Sequence, residues 1–197
     1  MSQKFPALLA YGLFISVLLI ALGLRANQLE AYPPGISNDE AINAVDAFHF
    51  ATTGILPLYE ESEGREPLFR IFQGFGLLAF GKTVYALRIV SVLVSLPFIA
   101  STMWITREAL SGYPRYVRVL AAVGAGLVIA TMMGNIVISR SIYRGVIFYL
   151  AVSLSTGFML RGLRRNRWID FIASGFWGGL SLYTYTAAWF FPFSFFV

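Results

Sequence analysis

The chain has 197 residues, 57% of them apolar and 13% charged, against roughly 45–50% and about 25% in soluble domains. That balance argues against a soluble enzyme, and the 18 Phe, 10 Tyr and 4 Trp suit aromatic anchoring at lipid interfaces. The formal net charge of +5 does not read as a nucleic-acid signature, because the Arg residues cluster at the ends of hydrophobic runs instead of forming a basic stripe on a soluble face.

Residues 5–24 are uncharged, and a span needs about 20 such residues. The run exceeds a signal-peptide core, and Arg25-Ala26-Asn27-Gln28 follows in place of a small-x-small cleavage site. It reads as a retained first span, with Pro6 in the first turn.

A polar loop, residues 27–83, comes next. Eight of the ten acidic residues fall between Glu30 and Glu66. Tyr32-Pro33-Pro34-Gly35 excludes helix. Ser37-Asn38-Asp39-Glu40 has the form of a capping box, with Ser37 as N-cap and Glu40 three residues on. A short amphipathic helix is predicted to about Thr53, with Gly54 ending it. Ala41, Ala44, Val45 and Phe48 share its apolar face; Asp39, Asn43 and Asp46 share the polar one. It is too short and charged to span and is expected at the membrane surface. Residues 55–65 read as a glutamate-rich loop. Glu66-Pro67 starts a second short helix, with Pro67 in its first position. Its uncharged body, residues 71–81, is too short to cross and reads as interfacial or re-entrant.

Thr83 is the expected cap of span two, residues 85–106, kinked near Pro97. Span three is expected at 119–138, where Ala121, Ala122, Gly124, Ala125 and Gly126 suit close helix packing. Span four is expected at 145–160, followed by the basic cluster Arg161, Arg164, Arg165 and Arg167, and span five at 168–185. The last uncharged run is 27 residues long, too long for one straight span and too short for two. Tyr183-Thr184-Tyr185-Thr186 and Pro192 suggest an interfacial turn and the start of a sixth span at 187–197. No internal repeat is present. Residues 1–197 therefore read as one N-terminal part of an all-α transmembrane helix bundle, with two short interfacial helices in its first outer loop.

The four-Arg cluster is expected on the cytoplasmic side. Counting spans outward puts the acidic loop and the Arg140–Arg144 connection together on the opposite, outer side. The raw Lys/Arg count, eight inside and seven outside, is nearly even, so the short loops decide.

Two constellations carry the chemistry. If Glu40 closes the capping box, its carboxylate is occupied and Asp39 is the freer acid. The helix N-terminus favours its ionised form, and a carboxylate at a membrane surface can take a proton from an attacking hydroxyl or amine. The structural alternative is two first-turn acids that merely stabilise a helix. The second constellation is Arg65 and Arg70 with Arg88, Arg140 and Arg144. Arg forks match phosphate oxygens, which makes a lipid-linked phosphate a natural partner; the alternative is pairing with the Glu run and interface anchoring. His49 is the only His and there is no Cys, so a metal site would need carboxylates alone; His49 reads as a partly exposed helical residue. Trp189, Phe190, Phe191 and Phe193 read as an interfacial belt.

The order of these features resembles the GT-C glycosyltransferases, of the protein O-mannosyltransferase and lipid A aminoarabinose transferase type. Asp39-Glu40 follows the first span at the start of a large outer loop. Gly64-Arg65-Glu66-Pro67-Leu68-Phe69 is similar to the family's basic-Pro-Pro-Leu-aromatic motif, and Phe80-Gly81 with Ala86-Leu87-Arg88 resembles its opening of the second span. The likeness covers nearly the whole chain. It implies inverting transfer of a sugar from a polyprenyl-phosphate donor to a lipid, glycan or protein acceptor at the outer face of the cell membrane. Asp39 matches the proposed base, and Arg65 stands where relatives carry Lys or His near the lipid phosphate. The substrate and lipid-phosphate contacts implied are Glu40, Arg65, Arg88, Arg140 and Arg144. Two departures stand out. Glu66 replaces the first Pro, and Ser139-Arg140-Ser141-Ile142-Tyr143-Arg144 lacks the second acid that many relatives carry. A divalent metal is compatible with the family, but no second acidic site supports it and no cofactor is assigned. Relatives have further spans that complete the donor groove, so the sequence reads as a fragment. The rival readings are a transporter or flippase half-domain, or a non-catalytic membrane scaffold. Transporters place charges near the bilayer midplane, and the span interiors here lack them.

Overall fold

The computed structural model describes residues 6–56 and 66–195. The helices in chain order are α1 (Ala7–Ala26), α2 (Asn38–Thr53), α3 (Leu68–Phe80), α4 (Val84–Ala109), α5 (Arg115–Thr131), α6 (Met133–Arg140), α7 (Gly145–Arg165) and α8 (Trp168–Ser181). A 3-10 helix, Thr186–Phe195, follows. Among the described residues there is no strand, and the all-α class expected from the sequence is what forms.

The ends of these helices obey local chemistry. Ser37 Oγ accepts the Glu40 N–H at 3.4 Å while Glu40 Oε2 accepts the Ser37 N–H at 2.9 Å, completing the capping box of α2. Gly54, at φ 74°, ends that helix in the left-handed conformation. Thr83 Oγ1 accepts the Ala86 N–H at 3.1 Å and caps α4. Pro67 flanks α3, and Leu68 is the first helical residue.

Helices α1, α4 and α7 are long and apolar enough to cross a membrane. Helices α5 and α6 pass the same test only together, bent by 60°. The expected third span is therefore broken, and Arg25 supplies the physical reason. Its guanidinium donates to Ala130 O at 2.8 Å and Ile129 O at 3.3 Å. In an unbroken helix those carbonyls would accept the N–H groups of residues 133 and 134. Helix α8 also stops early. Its 14 residues reach about 21 Å, short of a hydrocarbon core of about 30 Å. Ser181 Oγ donates to Gly178 O at 2.6 Å and Thr184 Oγ1 to Ser181 O at 2.5 Å, tying off the last turn. Five complete spans were expected; the described residues give three helices of spanning length, or four with the bent pair. The segment expected to open a sixth span is the 3-10 helix.

Helix α4 is the hub, with α1, α3, α5, α6 and α7 all packed on it, and α7 packs in turn against α8. Small residues let these helices approach. Ala122 is fully buried, and a Cβ on Gly126 would lie 2.6 Å from Met103 Cγ. Serines cross-link the interfaces: Ser101 Oγ lies 2.5 Å from Ser153 Oγ, and Ser155 and Ser174 each donate to the other's carbonyl oxygen, at 2.8 and 2.9 Å. At the end of the bundle carrying the Arg cluster, the two acids outside the acidic stretch find partners. Arg164 pairs with Glu108, and Arg161 Nε donates to Asp170 Oδ1 at 2.9 Å.

Helices α2 and α3 pack on each other, and α3 packs on α4. Four of their polar residues, Glu40, Asn43, Arg70 and Gln73, are buried beside the apolar Ala47, Phe50, Phe69 and Leu77, and Arg70 pairs with Asp46 at 2.9 Å. Their apolar residues Val45, Phe48, Phe72, Phe75 and Leu78 are exposed. Exposed apolar residues in this number suit a surface that meets lipid or protein.

Candidate functional site

The end of the bundle that carries α2 gathers side chains far apart in sequence. A recess of about 80 Å³ is lined by Asp39 and Asn43 of α2, Tyr143 and Arg144 of the α6–α7 connection, and Tyr185. Beside it lies a cleft of about 650 Å³, walled by residues 33–37, Asp39 and Glu40 on one side and by Val137, Ile138, Ser141, Tyr143 and Tyr149 on the other. Asp39 and Tyr143 line both spaces.

Local structure fixes what each group can do. Asp39 sits in the exposed first turn of α2, and its carboxylate has no ion pair or side-chain hydrogen bond among the described residues. Glu40 has the opposite fate. Oε2 closes the capping box, and Oε1 accepts the Ile142 N–H at 2.8 Å. Glu40 is 7% exposed and joins α2 to the α6–α7 connection, with each carboxylate oxygen accepting a backbone N–H. The distinction drawn from the capping pattern, with Glu40 occupied and Asp39 open, is present in the geometry. Asn43 Nδ2 donates to Ile142 O at 3.1 Å. That bond sets the amide orientation and leaves Asn43 Oδ1 buried without a partner among the described residues.

The arginines divide into two kinds. Arg88 is fully buried, and its guanidinium donates to Leu29 O at 3.0 Å, Glu30 O at 3.4 Å and Gly35 O at 2.6 Å. It organises the turn between α1 and α2. Arg140 donates to Leu24 O at 3.0 Å, Arg25 O at 3.2 Å, Gln28 O at 3.2 Å and Tyr32 O at 3.0 Å, capping the C-terminal carbonyls of α1. Both were expected at a lipid phosphate; their N–H groups are directed at backbone carbonyls, which holds the cleft wall in shape. Arg144 is the arginine that lines the recess. It pairs with Glu66 Oε2 at 3.3 Å and lies 5.4 Å from the Tyr185 ring centroid. Arg65 lies outside the described residues.

Glu66, at the position where the resembled motif has Pro, is buried. Its Oε1 accepts from Thr186 Oγ1 at 2.7 Å, so it links the start of α3 to the 3-10 helix while holding Arg144. Tyr143 Oη donates to Tyr185 Oη at 2.9 Å. Burial, then that hydrogen bond, pushes the Tyr143 hydroxyl up to about 12. Sequence reasoning did not select Asn43, Glu66, Tyr143 or Tyr185 for the site. A Tyr-Thr-Tyr-Thr run after a short helix was the available signal for Tyr185, and it was read only as a turn.

Among the described residues, no three His, Asp or Glu side chains converge as a metal-binding group. Compared with known proteins, the chain matches no family model, no curated protein and no solved structure.

Proposed function

We propose that the cleft and recess form the acceptor side of a membrane glycosyltransferase that uses a polyprenyl-phosphate-linked sugar, with Asp39 as general base. The observation that carries this reading is the selective openness of Asp39. Of the acids around the site, Glu40, Asp46 and Glu66 are all engaged by backbone N–H groups or arginines. Asp39 alone among these four meets two open spaces. A base needs a free oxygen within hydrogen-bond reach of the proton it removes.

In the proposed reaction the acceptor hydroxyl or amine gives its proton to the Asp39 carboxylate. Its oxygen or nitrogen forms a bond to the sugar's anomeric carbon as the bond from that carbon to the phosphate oxygen breaks. The polyprenyl phosphate leaves with the electron pair, and backside attack inverts the anomeric centre. Arg144 is the cation placed to meet the phosphate oxygens. The hydroxyls of Tyr143 and Tyr185 offer hydrogen bonds to the sugar or acceptor. An outward-facing site would let the acceptor arrive from outside the cell.

The test uses membranes from cells expressing the open reading frame that encodes this chain. Asp39→Asn keeps shape and first-turn position but removes the base. Transfer from a radiolabelled polyprenyl-phosphate sugar should be abolished, with protein level and membrane insertion unchanged; undiminished transfer would sink the assignment. A cysteine placed at Ser62, unique because the chain has no Cys, should react with an impermeant thiol reagent from outside intact cells. Labelling only after permeabilisation reverses the orientation.

A further inference from the structure

On the exposed side of α2, away from the recess, a second groove of about 290 Å³ runs between α2, the C-terminal end of α3 and the first turn of α4. Its walls include Ile36, Val45 and Phe48, its floor the buried Leu77 and Leu87, and no acidic residue lines it. Lys82 is the single charged group on its rim, with Nζ 5.0 Å from the Phe48 ring centroid. No carboxylate pairs with Lys82 among the described residues.

We infer that this groove binds one acyl chain of an anionic membrane phospholipid, whose phosphodiester headgroup is held at Lys82. Three observations point to that occupant. First, position: Lys82 lies two residues before α4, a helix of spanning length. The start of such a helix lies at the headgroup level, and its following turns lie beside hydrocarbon. Leu87, one turn into α4, would therefore face the chain while Lys82 faces the headgroup. Second, surroundings: Val45 and Phe48, which line the groove, are exposed apolar residues, as are Phe75 and Leu78 of the neighbouring α3, an apolar exterior from which a lipid can reach it laterally. Third, charge and size: the groove has one cation and no anion among its lining residues. Its volume of about 290 Å³ falls just below the roughly 300–1,000 Å³ of ligand pockets, which suits a single chain better than a whole lipid. The Phe48 ring holds the ammonium over the groove by a cation–π contact. This groove adjoins the proposed transferase cleft, with Ile36 lining both, but the inference does not depend on that reading.

The test is lipid retention. The protein is reconstituted in vesicles of equal phosphatidylglycerol and phosphatidylcholine, extracted in mild detergent, and weighed intact by native mass spectrometry. Wild type should carry one phosphatidylglycerol in preference to phosphatidylcholine. Lys82→Gln, an exposed change that leaves the fold intact by circular dichroism, should lower that preference about fivefold, the effect of one lysine at an anionic headgroup surface. Val45→Trp, which narrows the groove from an exposed position, should reduce retention of both lipids. Equal retention of the two lipids by wild type overturns the inference. So does an unchanged preference in Lys82→Gln. A protein dimer without bound lipid would also overturn it, because a second copy would then be the occupant.

Discussion

Glu40 Oε1 accepts the backbone N–H of Ile142 at 2.8 Å, joining positions 102 residues apart. The same carboxylate closes the capping box of α2 through Oε2. One side chain thus sets both the start of α2 and the position of the α6–α7 connection, and these are the two walls of the cleft. Glu40→Ala should remove both bonds and leave a buried N–H without a partner, a cost of about 2–4 kcal/mol from the cap and the orphaned donor together. Glu40→Gln keeps an acceptor oxygen and should cost less. Thermal unfolding in detergent reads both; equal melting temperatures for the two variants would mean that Glu40 is not the link.

Arg88 separates a structural from a ligand-binding arginine. Its fork reaches three carbonyls of the turn after α1, and a lysine ammonium lacks that planar geometry. Arg88→Lys should destabilise the fold by about 2 kcal/mol or more, since each bond to a charged donor contributes about 1.5–3 kcal/mol. Any loss of sugar transfer should then follow the loss of folded protein. Normal thermal stability combined with weakened donor binding would return Arg88 to the phosphate site.

Tyr143 gives an alkaline signature. Its hydroxyl is pushed up to about 12 by burial and by Tyr185, against about 10 for a free tyrosine. The folded state therefore holds the Tyr143 proton more tightly than the unfolded chain does. This contribution is complete below about pH 10 and declines as pH rises toward about 12. Tyrosinate absorbance should show one late-titrating group in the wild type that is missing in Tyr143→Phe. Tyr185→Phe removes the hydrogen-bond partner and should move the Tyr143 titration to lower pH.

Local signals made the helix caps legible in the sequence. Ser37, Gly54 and Thr83 sit where pattern reasoning puts them, because each acts through bonds within one turn of chain. The Asp39–Glu40 distinction was legible for the same reason. The break between α5 and α6 was not, because Met132 carries no breaker signal and Arg25, more than a hundred residues earlier, takes up the carbonyls. The backbone contacts of Arg88 and Arg140 were not legible for a related reason: an arginine near a membrane boundary looks the same in sequence whether its fork meets a phosphate or a helix end. The burial of Asn43 and Arg70 departs from soluble-protein logic: these polar residues share the inner side of α2 and α3 with Ala47, Phe50, Phe69 and Leu77, while Val45, Phe48, Phe75 and Leu78 are exposed. Periodicity finds the two faces, and only packing says which one is inside.

The Glu66–Arg144 pair offers the sharpest separation of stability from function. Glu66 is 4% exposed, whereas the Arg144 side chain keeps 21% of its surface. Removing the arginine leaves a carboxylate buried without its counter-charge, a loss of about 3–5 kcal/mol. Removing the carboxylate leaves a cation that can still reach water, and Glu66→Gln retains an oxygen for the Thr186 hydroxyl. Arg144→Gln should therefore destabilise the protein much more than Glu66→Gln. Combining the two should recover most of the stability lost in Arg144→Gln, because the buried charge is gone as well. Thermal unfolding of the wild type, both single variants and the double variant measures that recovery directly. Assayed for the proposed sugar transfer, the stable double variant then tests whether Arg144 takes part in it. If Arg144 meets the donor phosphate, the double variant should be well folded and inactive. Full transfer by a stable double variant would limit Arg144 to holding the 3-10 helix against α3.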